Sequence, residues 1–321
     1  MRIAVGAITR RRPHMFGDLL ESFAAMDRPE EHEIVFLFAE NDHEVSVGDQ
    51  VAAFRAAVPE EVALELEPRP GIPFARNKVL DMALDRGADL LTFVDDDEVV
   101  TRDWLVELVA GMDRRTLDLG GGPVRLTATA EPMTAWNAAV FRHLTQRAKR
   151  RNGERARSVA TGQDHLHNIY TNNWALRLSA QRRTGVRFDE RLQVSGGSDT
   201  RFSLEMQAAG ARIGWLPDAW VEEPTPAKRL TLRYHFNRAR DQATNAMRLA
   251  GKGPVRALWH ALARTVDTGL QVAMLPFGWR YAVARAAHKI GAATGALRAA
   301  FGGRSKHYAP AAAQFHAEIK S

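Results

Sequence analysis

The chain has 321 residues, 45 % of them hydrophobic and none of them cysteine, so it can bury a proper core while disulfides and thiol catalysis are excluded. Its net charge of +6 and pI near 9.9 favour anionic partners: phosphates, nucleic acid or an anionic membrane. No apolar run approaches the roughly 20 residues of a spanning helix, and no signal peptide precedes the first apolar segment, so the expected setting is cytoplasmic.

Residues 2–8 read as a strand that ends in Thr9-Arg10-Arg11-Arg12-Pro13. A helix is predicted over 15–26, with Phe16, Leu19, Leu20 and Phe23 on one face. Residues 33–38 form a second apolar strand ending in Ala39-Glu40-Asn41-Asp42. Ser46 and Asp49 have the spacing of a capping box for a helix reaching Ala57. Val62, Leu64 and Leu66 alternate as a third strand, and a Pro/Gly loop over 68–73 leads into a helix over 74–85. The fourth strand is Leu90-Leu91-Thr92-Phe93-Val94, followed at once by Asp95-Asp96-Asp97-Glu98, with a helix over 101–112 behind it. Strand and helix alternate throughout, which predicts an α/β fold with a mostly parallel sheet flanked by helices.

Ligands in such sheets bind beyond the carboxyl ends of the strands. Thr9 and Arg10, Glu40 to Asp42, and Asp95 to Asp97 should therefore share one crevice. Arg76 and Asn77 join it from the first turns of a helix, whose free N–H groups suit phosphate or ribose. Four adjacent carboxylates repel one another and need a counter-charge to stay ionised. A hard divalent ion, Mg²⁺ or Mn²⁺, held by Asp95 and Asp97, supplies it and shares its remaining positions with phosphates. The bland reading is a solvated acidic loop that caps the next helix. Neither a Gly-x-Gly-x-x-Gly turn nor a Gly-Lys-Ser/Thr loop is present, which argues against dinucleotide and P-loop sites.

The second half changes character. Residues 119–124 read as a glycine-bearing strand, and the basic run 146–157 as a solvated loop able to steer an anionic acceptor. Asn172 and Asn173 precede Trp174 in a short strand, as amide partners for sugar hydroxyls. Gly196-Gly197-Ser198-Asp199 opens a helix to about Ala209, and residues 212–216 are strand-like. From Leu230 onward the pattern is basic amphipathic helix without strand signal. Beyond Gly251 the acids are Asp267 and Glu318 alone, against ten Lys and Arg, with Trp259, Leu262, Leu275, Phe277 and Trp279 between them. That is the composition of helices lying in a membrane interface, though the same apolar residues would permit packing on the catalytic domain or on a second subunit.

Three stretches together resemble the nucleotide-sugar half of family 2 glycosyltransferases with the GT-A fold. They are 67–77 (Glu67-Pro68-Arg69-Pro70-Gly71-Ile72-Pro73-Phe74-Ala75-Arg76-Asn77), Phe93-Val94-Asp95-Asp96-Asp97-Glu98, and Asp103-Trp104-Leu105. Gly121-Gly122-Pro123-Val124 and Gly196 to Phe202, with Gly210, Trp215, Pro217 and Ala219, resemble the acceptor half, in the manner of bacterial exopolysaccharide enzymes of the succinoglycan type. The resemblance implies a GT-A catalytic domain over 1–228, with a nucleotide-sugar half over 1–117 and an acceptor half over 118–228. Residues 229–321 then form a C-terminal helical, membrane-associating region.

It further implies an inverting, metal-dependent glycosyltransferase of hexosyltransferase type that moves one sugar from a nucleoside-diphosphate sugar, UDP-sugar by default. The implied acceptor is a saccharide or a polyprenyl-diphosphate-linked one, the implied place the inner face of the cell membrane. Carried over by position, Asp95 and Asp97 hold the metal and Asp96 lies nearer the nucleoside. Thr9, Arg10 and Glu40 surround base and ribose, and Asp199 is the general base. The third metal ligand of some relatives, a His, has no counterpart after Ala219, where Glu222 and Glu223 stand. A Gln-x-x-Arg-Trp motif of processive synthases is absent, which implies single-sugar transfer.

The residue types fit that chemistry. A metal on the diphosphate stabilises the leaving group, and a carboxylate on the opposite face takes the acceptor's proton. Asp199 is also well placed as a plain helix cap, Trp174 and Trp215 as core rather than sugar platforms, and Arg229 and Arg238 equally as a diphosphate clamp or a solvated face. Two rival functions are a nucleotidyltransferase, for which the loop after strand one lacks glycine, and a non-catalytic membrane-bound nucleotide or sugar binder, which leaves the acids idle. A nucleic-acid partner is not expected, because no basic–aromatic binding pattern appears.

Overall fold

The computed structural model describes residues 1–193, 196–249 and 279–301. The chain divides into two compact units: residues 1–125, 149–193 and 198–224 form the first, and 126–148, 194–197 and 225–321 the second.

The first unit carries a seven-stranded sheet. Its strands are β1 (Arg2–Thr9), β2 (Glu33–Glu40), β3 (Glu61–Leu66), β4 (Leu90–Asp95), β6 (Leu119–Gly121), β8 (Asn173–Arg177) and β9 (Ile213–Trp215). Their spatial order is β3-β2-β1-β4-β8-β6-β9. β8 alone runs antiparallel to its neighbours, with Phe93 and Gly121 both opposite Trp174. From β1 the chain walks outward through β2 to β3, then returns to place β4 on the other side of β1. That reversal opens a crevice at the carboxyl ends of β1 and β4. The register Ile8↔Asp95 sets Thr9 beside Asp96 there.

Period-two alternation gives the sheet two buried faces. Ile3, Val5, Ala7, Phe36 and Phe38 face the core under helices α1 (Pro13–Ala25), α2 (Gly48–Ala57) and α4 (Trp104–Arg114). Ala4, Val35, Leu37, Leu91 and Phe93 face the other, under α3 (Ile72–Asp85), α6 (Leu178–Thr184) and α7 (Ser198–Ala208). A strand buried on both faces reads as a continuous apolar run, which is why β1, β2 and β4 were visible in the sequence, while the edge strand β3 showed through the alternation of Val62, Leu64 and Leu66. A small second sheet pairs β5 (Val99–Val100) antiparallel with β10 (Val221–Thr225). β7 (Val124–Ala128) follows the Gly122-Pro123 link.

Several local expectations are corrected. The basic run 146–157 is not a loop: it lies inside α5 (Ala135–Ala160), because Arg, Lys, Gln, Ala and Glu are good helix formers and Gly153 is the lone weak point. Arg155 stacks on Trp215 at 4.4 Å and Tyr170 at 5.3 Å. The strand over 119–124 stops at Gly121. Ser46 does not cap α2: its hydroxyl and its backbone N–H both go to Glu40. Trp174 and Trp215, by contrast, are core residues as expected, 1 % and 3 % exposed.

In the second unit, α8 (Leu232–Leu249) packs against α9 (Trp279–Ala300). Gly291 and Gly295 make this contact close, since a Cβ on either would overlap the carbonyl of Phe236 or Arg240. Thr244 bridges the pair, donating to Gly295 O at 3.1 Å. Val140, Leu230 and Ala284 form a further small core. Within the described residues of the C-terminal region, 232–249 and 279–300 are helical. Trp259, Leu262, Asp267, Leu275, Phe277 and Glu318, named above, lie outside the described residues.

Candidate active site

The crevice is built on the β1–α1 turn, the β2 and β4 tips, the start of α3 and the start of α7. Thr9 ends β1 and donates to Asp96 Oδ2 at 2.8 Å, while Arg12 donates to Asp96 Oδ1 at 2.8 Å. Arg11 reaches Asp42 at 2.7 Å and Arg10 lies 3.6 Å from the same carboxylate, which is 1 % exposed. Arg11 holds φ at +50°, a conformation side chains rarely adopt, and the turn thereby delivers three successive arginines to the crevice edge. Burial works against Asp42 as an anion, yet the His43 N–H and Arg11 keep its carboxyl below the usual range.

Arg76 is the centre of the arrangement. It is 7 % exposed, donates to Ser198 Oγ at 3.0 Å and lies 3.5 Å from Asp95 Oδ1. One guanidinium therefore joins the acid-tipped strand to the first turn of α7, where Asp199 follows Ser198. Asp199 accepts from the Thr200 N–H at 2.7 Å, and Gly196 and Gly197 ahead of it hold φ of +75° and +90°.

Burial drives the Asp95 carboxyl up to about 7, with Arg76 pulling it back and Asp97, Asp96 and Asp199 pushing it further. Its side chain keeps 41 % exposure, so solvent screens part of that rise. Asp96 is raised by burial, against Arg12 and Thr9. Glu98 is raised well above its ordinary range by burial, then by Asp95, Glu223 and Asp97, despite the Asn172 amide at 3.1 Å. Here negative charge exceeds what the neighbouring guanidiniums offset. The open carboxylate oxygens of Asp95, with Asp97 two residues on, form a hard donor set that suits Mg²⁺ or Mn²⁺.

Two predicted residues turn their polar atoms inward. Glu40 is fully buried, and accepts from Ser46 N at 2.8 Å and Arg11 N at 3.4 Å. Asn77 exchanges hydrogen bonds with the Phe188 backbone, each 3.0 Å, and donates to Glu190. Asn173, read as a sugar partner, is 1 % exposed and braces the fold: Trp104 Nε1 donates to it, and its amide donates to Pro123 and Ala219 carbonyls at 2.9 and 2.8 Å. Gly122 sits against that amide and the Ala219 carbonyl with no room for a Cβ. Asn41 does similar work, clamping the 67–71 loop through Glu67 O, Arg69 O and Gly71 N. Arg12 and Ser198 were not singled out in the sequence as site residues; the strand-end rule that selected Thr9 and Asp96 covers the first.

A different cluster joins His143 of α5, His235 of α8 and His288 of α9, whose ring nitrogens lie within 4.8 Å of one another. Arg147 hydrogen-bonds the His288 ring, and Arg285, Lys289 and Arg238 press on the other two. At about 6 Å and an effective dielectric near 20, each such cation repels each unit of added positive charge by roughly 3 kcal/mol. The surroundings therefore oppose a divalent ion there, and the acid-lined crevice is the better cation site.

Comparison with known proteins agrees with this geometry. The glycosyl transferase family group 2 profile matches residues 90–294. The succinoglycan biosynthesis protein ExoM of Rhizobium meliloti (strain 1021) is 32 % identical over 271 residues, spanning 84 % of this chain and 82 % of that protein. Among solved structures, the mannosyltransferase PcManGT from Pyrobaculum calidifontis, in complex with GDP-Man and Mn²⁺, superposes with a TM-score of 0.52 at 17 % identity, over 99 % of this chain and 80 % of that one. A strand order switching at β1/β4, an acid-tipped β4 and this sequence kinship converge: the chain belongs to glycosyl transferase family group 2 and is a glycosyltransferase of the GT-A fold.

Proposed function

We propose that this glycosyltransferase moves one sugar, with inversion, from a nucleoside-diphosphate sugar to a saccharide or polyprenyl-diphosphate-linked acceptor in exopolysaccharide synthesis. Residues 1–117 hold the donor and 118–228 the acceptor. The observation that carries the reading is Arg76 spanning Asp95 and Ser198, which brings the metal-type carboxylates and Asp199 to one crevice. The names of relatives support it: one is a succinoglycan biosynthesis protein, and another was solved with GDP-Man and Mn²⁺.

Asp95 and Asp97 would hold Mg²⁺ or Mn²⁺, with Glu222 or Glu223 available as a further ligand, the charge of Glu223 acting on Glu98. When bound, the ion neutralises charge growing on the diphosphate leaving group. Arg76 adds a buried guanidinium on the same side. Asp96, fixed by Thr9 and Arg12, offers its carboxylate toward the nucleoside, and Arg10 borders that end. Glu40 and Asn77 act one step removed, by fixing the β1–α1 turn and the 188–190 segment. Asp199, in the first turn of α7, takes the proton of the attacking acceptor hydroxyl. Attack opposite the departing diphosphate inverts the anomeric centre.

No helix among the described residues is long and apolar enough to cross a membrane. The reading accordingly places the protein peripherally, on the cytoplasmic face where a lipid-linked acceptor is presented. Calorimetry with nucleoside-diphosphate sugars and Mn²⁺ tests the metal assignment: Asp97→Asn should lose metal-dependent donor binding. Wild-type affinity in that variant would sink it.

A further inference from the structure

Helix α9 has two opposite faces. Ala284, Gly291, Ala292, Gly295 and Ala296 are buried, and the two glycines meet α8 backbone directly. On the other side, Trp279 (48 %), Ile290 (50 %), Leu297 (36 %) and, just past the helix end, Phe301 (85 %) are exposed. At 3.6 residues per turn these four fall within about 40° of one another, a single apolar stripe. Arg280 flanks it on one side, with Arg298, which lies 4.0 Å from the Asp241 carboxylate of α8, and Arg285 and Lys289 flank it on the other; the helix itself contains no acid.

The Trp279 end of the stripe opens into a cleft of about 280 Å³. Ala135, Ala138 and Ala139 of α5 line it, and Arg142 and Arg280 lie over the rings of Tyr281 and Trp279, at 5.3 and 4.9 Å. Alanine methyls and aromatic rings with two guanidiniums at the rim suit a group with an apolar stem and an anionic head. Guanidinium is the side chain best shaped for phosphate oxygens.

We propose that this face of the C-terminal unit docks on an anionic phospholipid membrane. Trp279, Ile290, Leu297 and Phe301 dip toward the acyl chains, the flanking cations meet the headgroups, and the Arg142/Arg280 cleft takes a lipid phosphate. Charge selects this occupant: a second copy of the same face would set Arg142, Arg280 and Arg285 against their like, whereas anionic headgroups neutralise them. The inference extends the peripheral placement above by naming its surface and its lipid chemistry. It is read without donor, metal or turnover, so it and the active-site reading fail independently.

The test is co-sedimentation of the full chain with vesicles of phosphatidylcholine, alone or with roughly a third phosphatidylglycerol. Binding should require the anionic lipid and weaken as salt rises. Arg142→Ala with Arg280→Ala should cut partitioning by about 25-fold, roughly five-fold per arginine. Ile290→Gln with Leu297→Gln should cut it as well, while Arg102→Ala, an exposed cation of the first unit, leaves it unchanged. All these side chains are at the surface, so circular dichroism should match wild type. Equal binding to neutral and anionic vesicles, or wild-type partitioning by both double variants, overturns the proposal. Displacement from vesicles by inorganic phosphate, but not by chloride at equal ionic strength, would assign the cleft to a soluble anion and overturn the lipid assignment.

Discussion

Acidification from pH 7 to 4 should loosen the helical C-terminal unit before it harms the sheet. His143 and His235 are 8 % and 3 % exposed, and each leaves a buried Nε2 without a hydrogen-bond partner. Burial, then Arg147, Arg285 and Lys289, lowers His143 to about 4; burial, then His143, Arg147 and Arg238, does the same for His235. In the unfolded chain both titrate near 6.5. Between those values the unfolded state binds protons that the folded state refuses, so stability is complete above pH 6.5 and falls as pH drops toward 4. A depression of about 2.5 units corresponds to roughly 3 kcal/mol per imidazole. The two rings share Arg147 and oppose each other's protonation, so the pair should contribute less than twice that, on the order of 4 kcal/mol. Urea midpoints at pH 7, 5.5 and 4.5, beside NMR titration of the imidazole carbons, measure both quantities. The aromatic replacement His143→Phe with His235→Phe keeps ring volume and removes the titration, so its midpoint should fall much less over that range. If both histidines titrate near 6.5, or the double variant loses stability as steeply as wild type, the argument is wrong.

Asp199→Asn should retain donor binding and lose about 10²–10⁴-fold in turnover, as removal of a general base does; unchanged turnover returns Asp199 to helix capping. Asn173→Ala strands the Trp104 indole N–H and two buried carbonyls, and should cost roughly 2–4 kcal/mol in urea unfolding. A loss under about 0.5 kcal/mol would mean that water replaces the amide.

Where one short stretch carried its own signal, the sequence was readable. Leu90 to Val94, buried on both faces, could only be a central strand, and the acids beyond it marked the ligand end of the sheet. Thr9 and Asp96 followed from the same rule and do meet, at 2.8 Å. What stayed hidden depends on groups far apart in the chain. Asn173 looks like any exposed amide until the carbonyls of Pro123 and Ala219 fold around it. Ser46 has the spacing of a cap, yet the buried Glu40 carboxylate, desolvated at the β2 tip, takes its hydroxyl. The 146–157 run is charged enough to read as loop, and only the burial of Ala148 and the stacking of Arg155 on Trp215 show one side of that helix packed inward. His143, His235 and His288 sit on three different helices, and no spacing rule joins them.

The central claim is glycosyl transfer that depends on the Asp95/Asp97 crevice. Its most direct measurement is identification of the product that full-length protein releases from nucleoside-diphosphate sugars with acceptor and Mn²⁺, by anion-exchange chromatography. The account predicts release of nucleoside diphosphate, abolished in Asp97→Asn. Release of pyrophosphate, or turnover indifferent to both the metal and Asp97, would contradict it.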